Sequence, residues 1–101
     1  MSRRPYELSA AARLDVLQIW NYLAENAPFA IADKVSKDIE SAVREIAKSP
    51  NRGHKRPDLT DRQVLFFLVH SYLIIYRPNK KPLHVLRVAH AARDISGMLE
   101  E

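Results

Sequence analysis

The sequence predicts an α+β fold: an N-terminal strand, an antiparallel two-helix hairpin, and a mostly antiparallel sheet completed by a C-terminal three-strand meander. Three observations predict it. Between residues 10 and 49 the apolar side chains recur with the 3.6-residue period of a helix, interrupted once at Pro28. After Asp61 the period changes from 3.6 to two, the signature of strands. The connections are short, so the hairpin has only the meander against which to bury its apolar stripe.

The elements follow in order. Residues 4–8 read as a strand, with Tyr6 and Leu8 on one face and Glu7 on the other. Ser9 stands at an N-cap position before Ala10, Ala11 and Ala12, the best helix formers. The first helix runs from 10 to about 25, with Val16, Ile19, Trp20 and Leu23 at i, i+3, i+4 and i+7. Pro28 disfavours a helical residue before it and ends this helix. The second helix spans 29 to about 49, its apolar face formed by Ile31, Val35, Ile39, Ala42 and Ile46. Asp33 with Lys37, and Glu40 with Arg44, add acid-before-base pairs at i,i+4. Pro50 and Gly53 stop the helix, and a polar loop continues to Asp61.

Residues 63–69 are apolar on both faces and read as a centrally placed or doubly covered strand. Only His70 and Ser71 separate them from the next strand, 72–77, and neither is the glycine or asparagine that tight hairpins favour. A turn at 78–82 leads to the last strand, 83–90, and a short tail follows from Ala91. Strict alternation in that strand puts His84, Leu86, Val88 and His90 on one face and Val85 and Arg87 on the other. The sheet face away from the hairpin then displays Arg77 and Arg87 as a half-open basic surface.

Composition bounds the function. A length of 101 residues suits one domain over 1–101, and 47% hydrophobic with 28% charged residues is an ordinary globular balance. The net charge of +4 is unevenly placed: residues 1–50 carry seven bases and seven acids, residues 51–101 nine bases and five acids. The absence of cysteine excludes disulfides, iron–sulfur clusters, thiolate zinc sites and a cysteine nucleophile. With two isolated glycines, Gly53 and Gly97, there is no phosphate-cradling loop. His54, His70, His84 and His90 show no metal-ligand spacing, so no metal and no cofactor are expected. The N-terminal arginines precede no apolar stretch, and no segment approaches the ~18 apolar residues of a membrane span; a cytoplasmic protein is the expectation.

One constellation carries potential chemistry. Arg77, Arg87, His90, Arg93 and Asp94 gather toward the end of the meander. Arginines with a histidine can stabilise a phosphoryl transition state and move protons, as RNA cleavage requires. The same residues also suit a solvated arginine and a cap or ion pair closing the last strand, the reading that one histidine and a few arginines favour by spacing alone. Trp20 lies on the apolar stripe, and Tyr72 and Tyr76 lie in one strand, positions suited to core packing or to an interface.

Four ordered motifs resemble one family. Residues 8–25, LSAAARLDVLQIWNYLAE, resemble the opening of ParE-type toxins of the RelE/ParE superfamily, which read roughly L-S-P-x-A-x-x-D-L-x-x-I-W-x-Y-I-A-E. The stretch SPNRG at 49–53, followed by RPDL at 56–59, is similar to their loop after the second helix. YLIIYR at 72–77 is similar to their YLIFYR strand. LRVAHAARD at 86–94 is similar to their closing R-V-x-H-x-x-R-D. Ala10 replaces the family's proline after the cap serine, and His70 replaces a turn glycine.

The resemblance implies a toxin of a type II toxin–antitoxin pair, held in a hetero-oligomer with a ParD-like antitoxin and acting on DNA gyrase without being an enzyme. Alternatives within the superfamily are a ribosome-dependent mRNA endoribonuclease of RelE type and a toxin-like subunit without toxicity. The gyrase reading is preferred because no aromatic residue follows Tyr76, leaving His90 as the sole late proton-transfer candidate. Leu17 and Trp20 are the expected apolar anchors for the antitoxin, and Arg77 and Arg87 the expected partners of its acidic residues. His90 and Arg93 are the candidates for contact with the target. Direct nucleic-acid binding by the chain on its own is not expected.

Overall fold

The computed structural model describes residues 4–99; the expected domain bounds and the N-terminal basic run therefore extend partly outside the described residues. The elements are β1 (Tyr6–Leu8), α1 (Ala10–Asn26), α2 (Phe29–Lys48), a 3₁₀ turn (Pro50–Arg52), β2 (Leu65–Val69), β3 (Tyr72–Arg77), β4 (Leu83–His90) and α3 (Ile95–Leu99). The sheet order is β1-β4-β3-β2, with β1 parallel to β4 and the remaining pairs antiparallel.

Ser9 caps α1 as its position predicts: its hydroxyl accepts from Ala12 N at 2.9 Å and donates to Leu86 O at 2.6 Å. One side chain thus starts a helix and ties it to β4. The Ser9 amide donates to Val85 O. Beyond the end of β1, α1 takes over the edge of β4 and satisfies backbone groups there.

The hairpin covers one sheet face. Ala32, Val35, Ile39, Val43 and Ile46 are the buried positions of α2, and the last four meet Leu65, Ile74, Tyr76, Leu83, Val85 and Val88 of the sheet. Val35, Ile39 and Ile46 lie where the sequence puts them, whereas Ile31 is 44% exposed and Val43 replaces it as a core residue. In α1, Val16, Ile19 and Leu23 are half-buried against this core.

The opposite face is not a half-open basic surface. A second core fills it: Val64, Phe66, Leu73, Ile75 and Ala89 pack with Ile95, Met98 and Leu99, and with Leu59 and Leu86. The segment read as a tail folds back as α3, with the Asp94 carboxylate accepting from Gly97 N at 3.2 Å and Ser96 Oγ donating to Leu59 O at 2.8 Å. Five residues are too few for a helical period to emerge from sequence, which is why the tail gave no signal.

A bulge explains a second difference. The register steps from Ile75↔Arg87 to Tyr76↔Val85, so β4 carries one extra residue, Leu86. The inward parity inverts there: Leu83 and Val85 face the hairpin before the bulge and Val88 after it, while Leu86 and Ala89 join the second core. Strict alternation missed this because one inserted residue flips every side chain beyond it. The β2–β3 hairpin does close with two residues, and His70 takes the left-handed conformation, φ 55°, that its turn-glycine position requires. His70 Nε2 lies 2.7 Å from Asp38 Oδ2, and this hydrogen bond is the main reason the Asp38 carboxyl titrates below the usual carboxylate range. No helix among the described residues is long and apolar enough to cross a membrane.

Candidate functional site

The six sequence-predicted site residues fall into four places. Leu17 and Trp20 lie one turn apart on the outer flank of α1. Leu17 is 55% exposed, and Leu14, one turn earlier, is 53% exposed. Trp20 Nε1 donates to Asp33 Oδ1 of α2 at 3.2 Å, and its ring stacks on Phe29 with centroids 5.9 Å apart and planes 17° apart. Phe29 is itself 67% exposed. Leu14, Leu17, Trp20 and Phe29 therefore form an apolar strip along the hairpin, an arrangement rarely left bare on a soluble surface. Beside it runs a groove of about 380 Å³ with Tyr6, Leu8, Val16, Ile39 and Val43 among its lining residues. Asp33, Lys37 and Glu40 also line it, as does Ser36, whose buried hydroxyl has no hydrogen-bond partner among the described residues.

Arg87 does not stand with Arg77. Its Nε and Nη2 donate to Asp15 Oδ2 and Oδ1 at 2.8 and 3.0 Å, a bidentate pair. Asp15 is 4% exposed and also accepts from Val88 N at 3.0 Å. The pair joins the middle of α1 to β4 past its bulge. Asp15 is the residue that sequence reasoning overlooked. It lies one turn from Ala12 and from Ile19 on the inward side of α1, and an acid within an apolar stripe is the signal that could have found it.

Arg77 ends β3, opposite His84 and at the far end of that strand from Tyr72. Five residue steps at ~3.3 Å put the two ends roughly 17 Å apart. α1 passes Tyr72 at the other end: Ile19, Tyr22, Tyr72, His90 and Arg93 share a hollow of about 330 Å³. Arg77 is thus separate from Leu17 and Trp20.

His90 and Arg93 lie beside each other at this hollow. His90 Nδ1 accepts from Ala92 N at 3.0 Å, and the Arg93 amide donates to His90 O at 3.0 Å, so the residue shapes the turn that ends β4. Its ring meets Tyr72 edge-on, 5.5 Å between centroids at 82°. Burial, and secondarily the nearby Tyr22, push the Tyr72 phenol up from its ordinary value. Two of the four motifs converge elsewhere: Tyr76 of the YLIIYR strand donates to Pro50 O at 2.7 Å and accepts from Gly53 N at 2.9 Å, fixing the SPNRG loop.

Strand, hairpin and meander in this order, with these motif contacts, match a known group. The family model for the ParE toxin of the type II toxin–antitoxin system, parDE, covers residues 6–95. The chain belongs to the ParE toxin family. Among solved structures, a chain of the chromosomal ParDE toxin–antitoxin system from P. aeruginosa is similar to it with a TM-score of 0.71 and 20% identity, over 84% of this chain and 92% of that one. At such identity the likeness establishes the fold alone. No curated protein matches the sequence.

Proposed function

We propose that this ParE-family toxin poisons DNA gyrase in the cytoplasm as a binding protein, not an enzyme, and that a cognate ParD-like antitoxin neutralises it. The observation that carries the reading is the state of His90. RNA cleavage by general acid–base chemistry needs groups poised to exchange protons with the substrate. At the hollow around His90, Nδ1 is occupied by the Ala92 amide, Asp15 is committed to Arg87, and the Tyr72 phenol is shifted away from neutrality. This favours a turn-forming histidine over a catalytic one. Gyrase incubated with the purified protein is expected to accumulate cleaved plasmid, and His90→Ala is expected to retain that effect within about threefold. Cleavage of mRNA in a translating extract, lost in His90→Ala, gives the function to the ribonuclease alternative.

For the antitoxin, the hairpin strip and its groove are the better dock. A segment that folds on binding must bury apolar surface to offset its ordering entropy. Leu14, Leu17, Trp20 and Phe29 provide that surface, and the unpartnered Ser36 hydroxyl offers a polar contact within the groove. Leu17→Glu is expected to weaken antitoxin binding at least tenfold by calorimetry while leaving stability within ~0.5 kcal/mol, since the side chain is exposed. Unchanged affinity places the dock elsewhere. Arg87 contributes to this surface through Asp15, by holding α1 in position.

A further inference from the structure

The proposed function leaves one group of cations unused. Arg62, just before β2, Arg77 at the end of β3, and Lys80 in the β3–β4 turn line one hollow of about 450 Å³, together with Gln63, Val64 and Asn79. All three cations are exposed, and no lining residue is acidic. Elsewhere the bases Lys34, Arg44, Lys48, Arg52, Arg56 and Arg87 have carboxylate partners; among the described residues no ion pair reaches Arg62, Arg77 or Lys80. A neighbouring hollow shares Asn79 and Lys80 and adds Lys81 and Arg4, with Glu7 as its one acid. Arg13, Lys37, Lys55 and Arg93 also lack an ion pair among the described residues, but Arg62, Arg77 and Lys80 share one hollow with no acid in its lining.

We propose that this basic end of the sheet grips the phosphate backbone of duplex DNA through Arg62, Arg77 and Lys80. The composition of the hollow selects the partner. A peptide that folds on docking needs an apolar socket, and the one apolar lining residue, Val64, is itself 3% exposed. Phosphates need none: neutralising them releases condensed counterions, and that release drives association. Arginine forks suit phosphate oxygens, and the Gln63 and Asn79 amides can donate to phosphate or sugar. A footprint of three to five cations gives weak, salt-sensitive binding for the isolated chain, a departure from the sequence-based expectation of none. Its effect is largest on DNA that a larger protein already holds. The inference rests on the gyrase reading for that setting, the cleavage complex, and the surface lies at the other end of the sheet from the hollow of His90.

The test is anisotropy of a labelled short duplex titrated with the purified protein across a salt series. Three phosphate contacts predict a slope of log K against log salt of about −2.7, roughly a 40-fold affinity loss between about 50 and 200 mM. R62A/R77A/K80A is expected to bind at least tenfold more weakly and to flatten the slope by about 2.7, with an unchanged melting temperature because these side chains are exposed and unpaired. R13A/K37A/K48A, which removes the same charge from the rest of the molecule, is expected to keep most of the affinity. Absence of duplex binding by the parent protein, or equal binding by the two triple variants, overturns the proposal. So does loss of gyrase-dependent DNA cleavage in R62A/R77A/K80A with duplex binding intact, which assigns the cations to an acidic protein surface. Duplex binding lost only in R62A/R77A/K80A supports the proposal even where no protein produces cleaved DNA with gyrase; that pattern instead removes the gyrase reading.

Discussion

Arg87→Ala is expected to lower the unfolding free energy by about 3–5 kcal/mol, the range for removing one partner of a buried ion pair. The asymmetry of the pair supports this magnitude. The Asp15 side chain is 4% exposed and that of Arg87 20%. Removing Arg87 strands a carboxylate that cannot reach water, with only the Val88 amide left of its three hydrogen bonds from β4. Removing Asp15 leaves a guanidinium that can turn toward solvent and one orphaned amide, so Asp15→Ala should cost less, about 1–3 kcal/mol. A chain of 101 residues has a stability on the order of 5–15 kcal/mol, so Arg87→Ala takes a large share of it. Urea melts of both single variants and the double variant check the ranking. Two contacting residues should be non-additive, the double variant costing less than the sum by roughly 0.5–3 kcal/mol. Equal single-variant losses below ~0.5 kcal/mol would contradict a structural pair. The consequence for function is practical: a loss of antitoxin binding in Arg87→Ala reports a displaced α1 as readily as a lost contact.

Much of this architecture is legible in the sequence because it rests on long periodic segments. α2 runs for 20 residues, and Val35, Ile39 and Ile46 announce its inward face without help from tertiary structure. The observed bounds of β3 and β4 are those the sequence predicts, because aromatic and β-branched residues fill them between clear turns. What escaped has a physical reason in each case. α3 is too short to display a period, and its stability comes from Ile95, Met98 and Leu99 filling the second sheet face. The bulge at Leu86 changes parity without a glycine to mark it. Asp15 defeats a polar-means-outside rule because its partner is 72 residues away. Among the candidate site residues, sequence placed Leu17 on the surface only through resemblance. Its separation from Arg77 depends on which end of β3 the hairpin passes, information held by the sheet register alone.

Tyr76→Phe is expected to cost about 2 kcal/mol, or roughly 8–16 °C in melting temperature for a chain of this size, although only one oxygen is removed. Tyr76 is fully buried at 0% exposure, and its hydroxyl holds both sides of the loop after α2, donating to Pro50 O and accepting from Gly53 N. Phenylalanine keeps the ring in the hairpin-side core but orphans a donor and an acceptor at once, each of which carries a desolvation cost of about 1–3 kcal/mol unless water reaches it. Burial raises the phenol above its ordinary value, so the hydroxyl stays protonated and able to donate throughout the neutral range. Gly53 is constrained by the same arrangement. A Cβ there would come 2.6 Å from the Tyr76 hydroxyl and 2.9 Å from Phe66 O, and Phe66 backbone also pairs with His54 next to it. Gly53→Ala must therefore push the loop off both the hydroxyl and β2. It should be destabilising in the parent protein and less so in the Tyr76→Phe background, where the hydroxyl that the Cβ meets is gone. A thermal-melt double-mutant cycle gives the sign directly. Strict additivity would mean that the clash with Phe66 O, not the tyrosine hydroxyl, is what keeps alanine out of position 53.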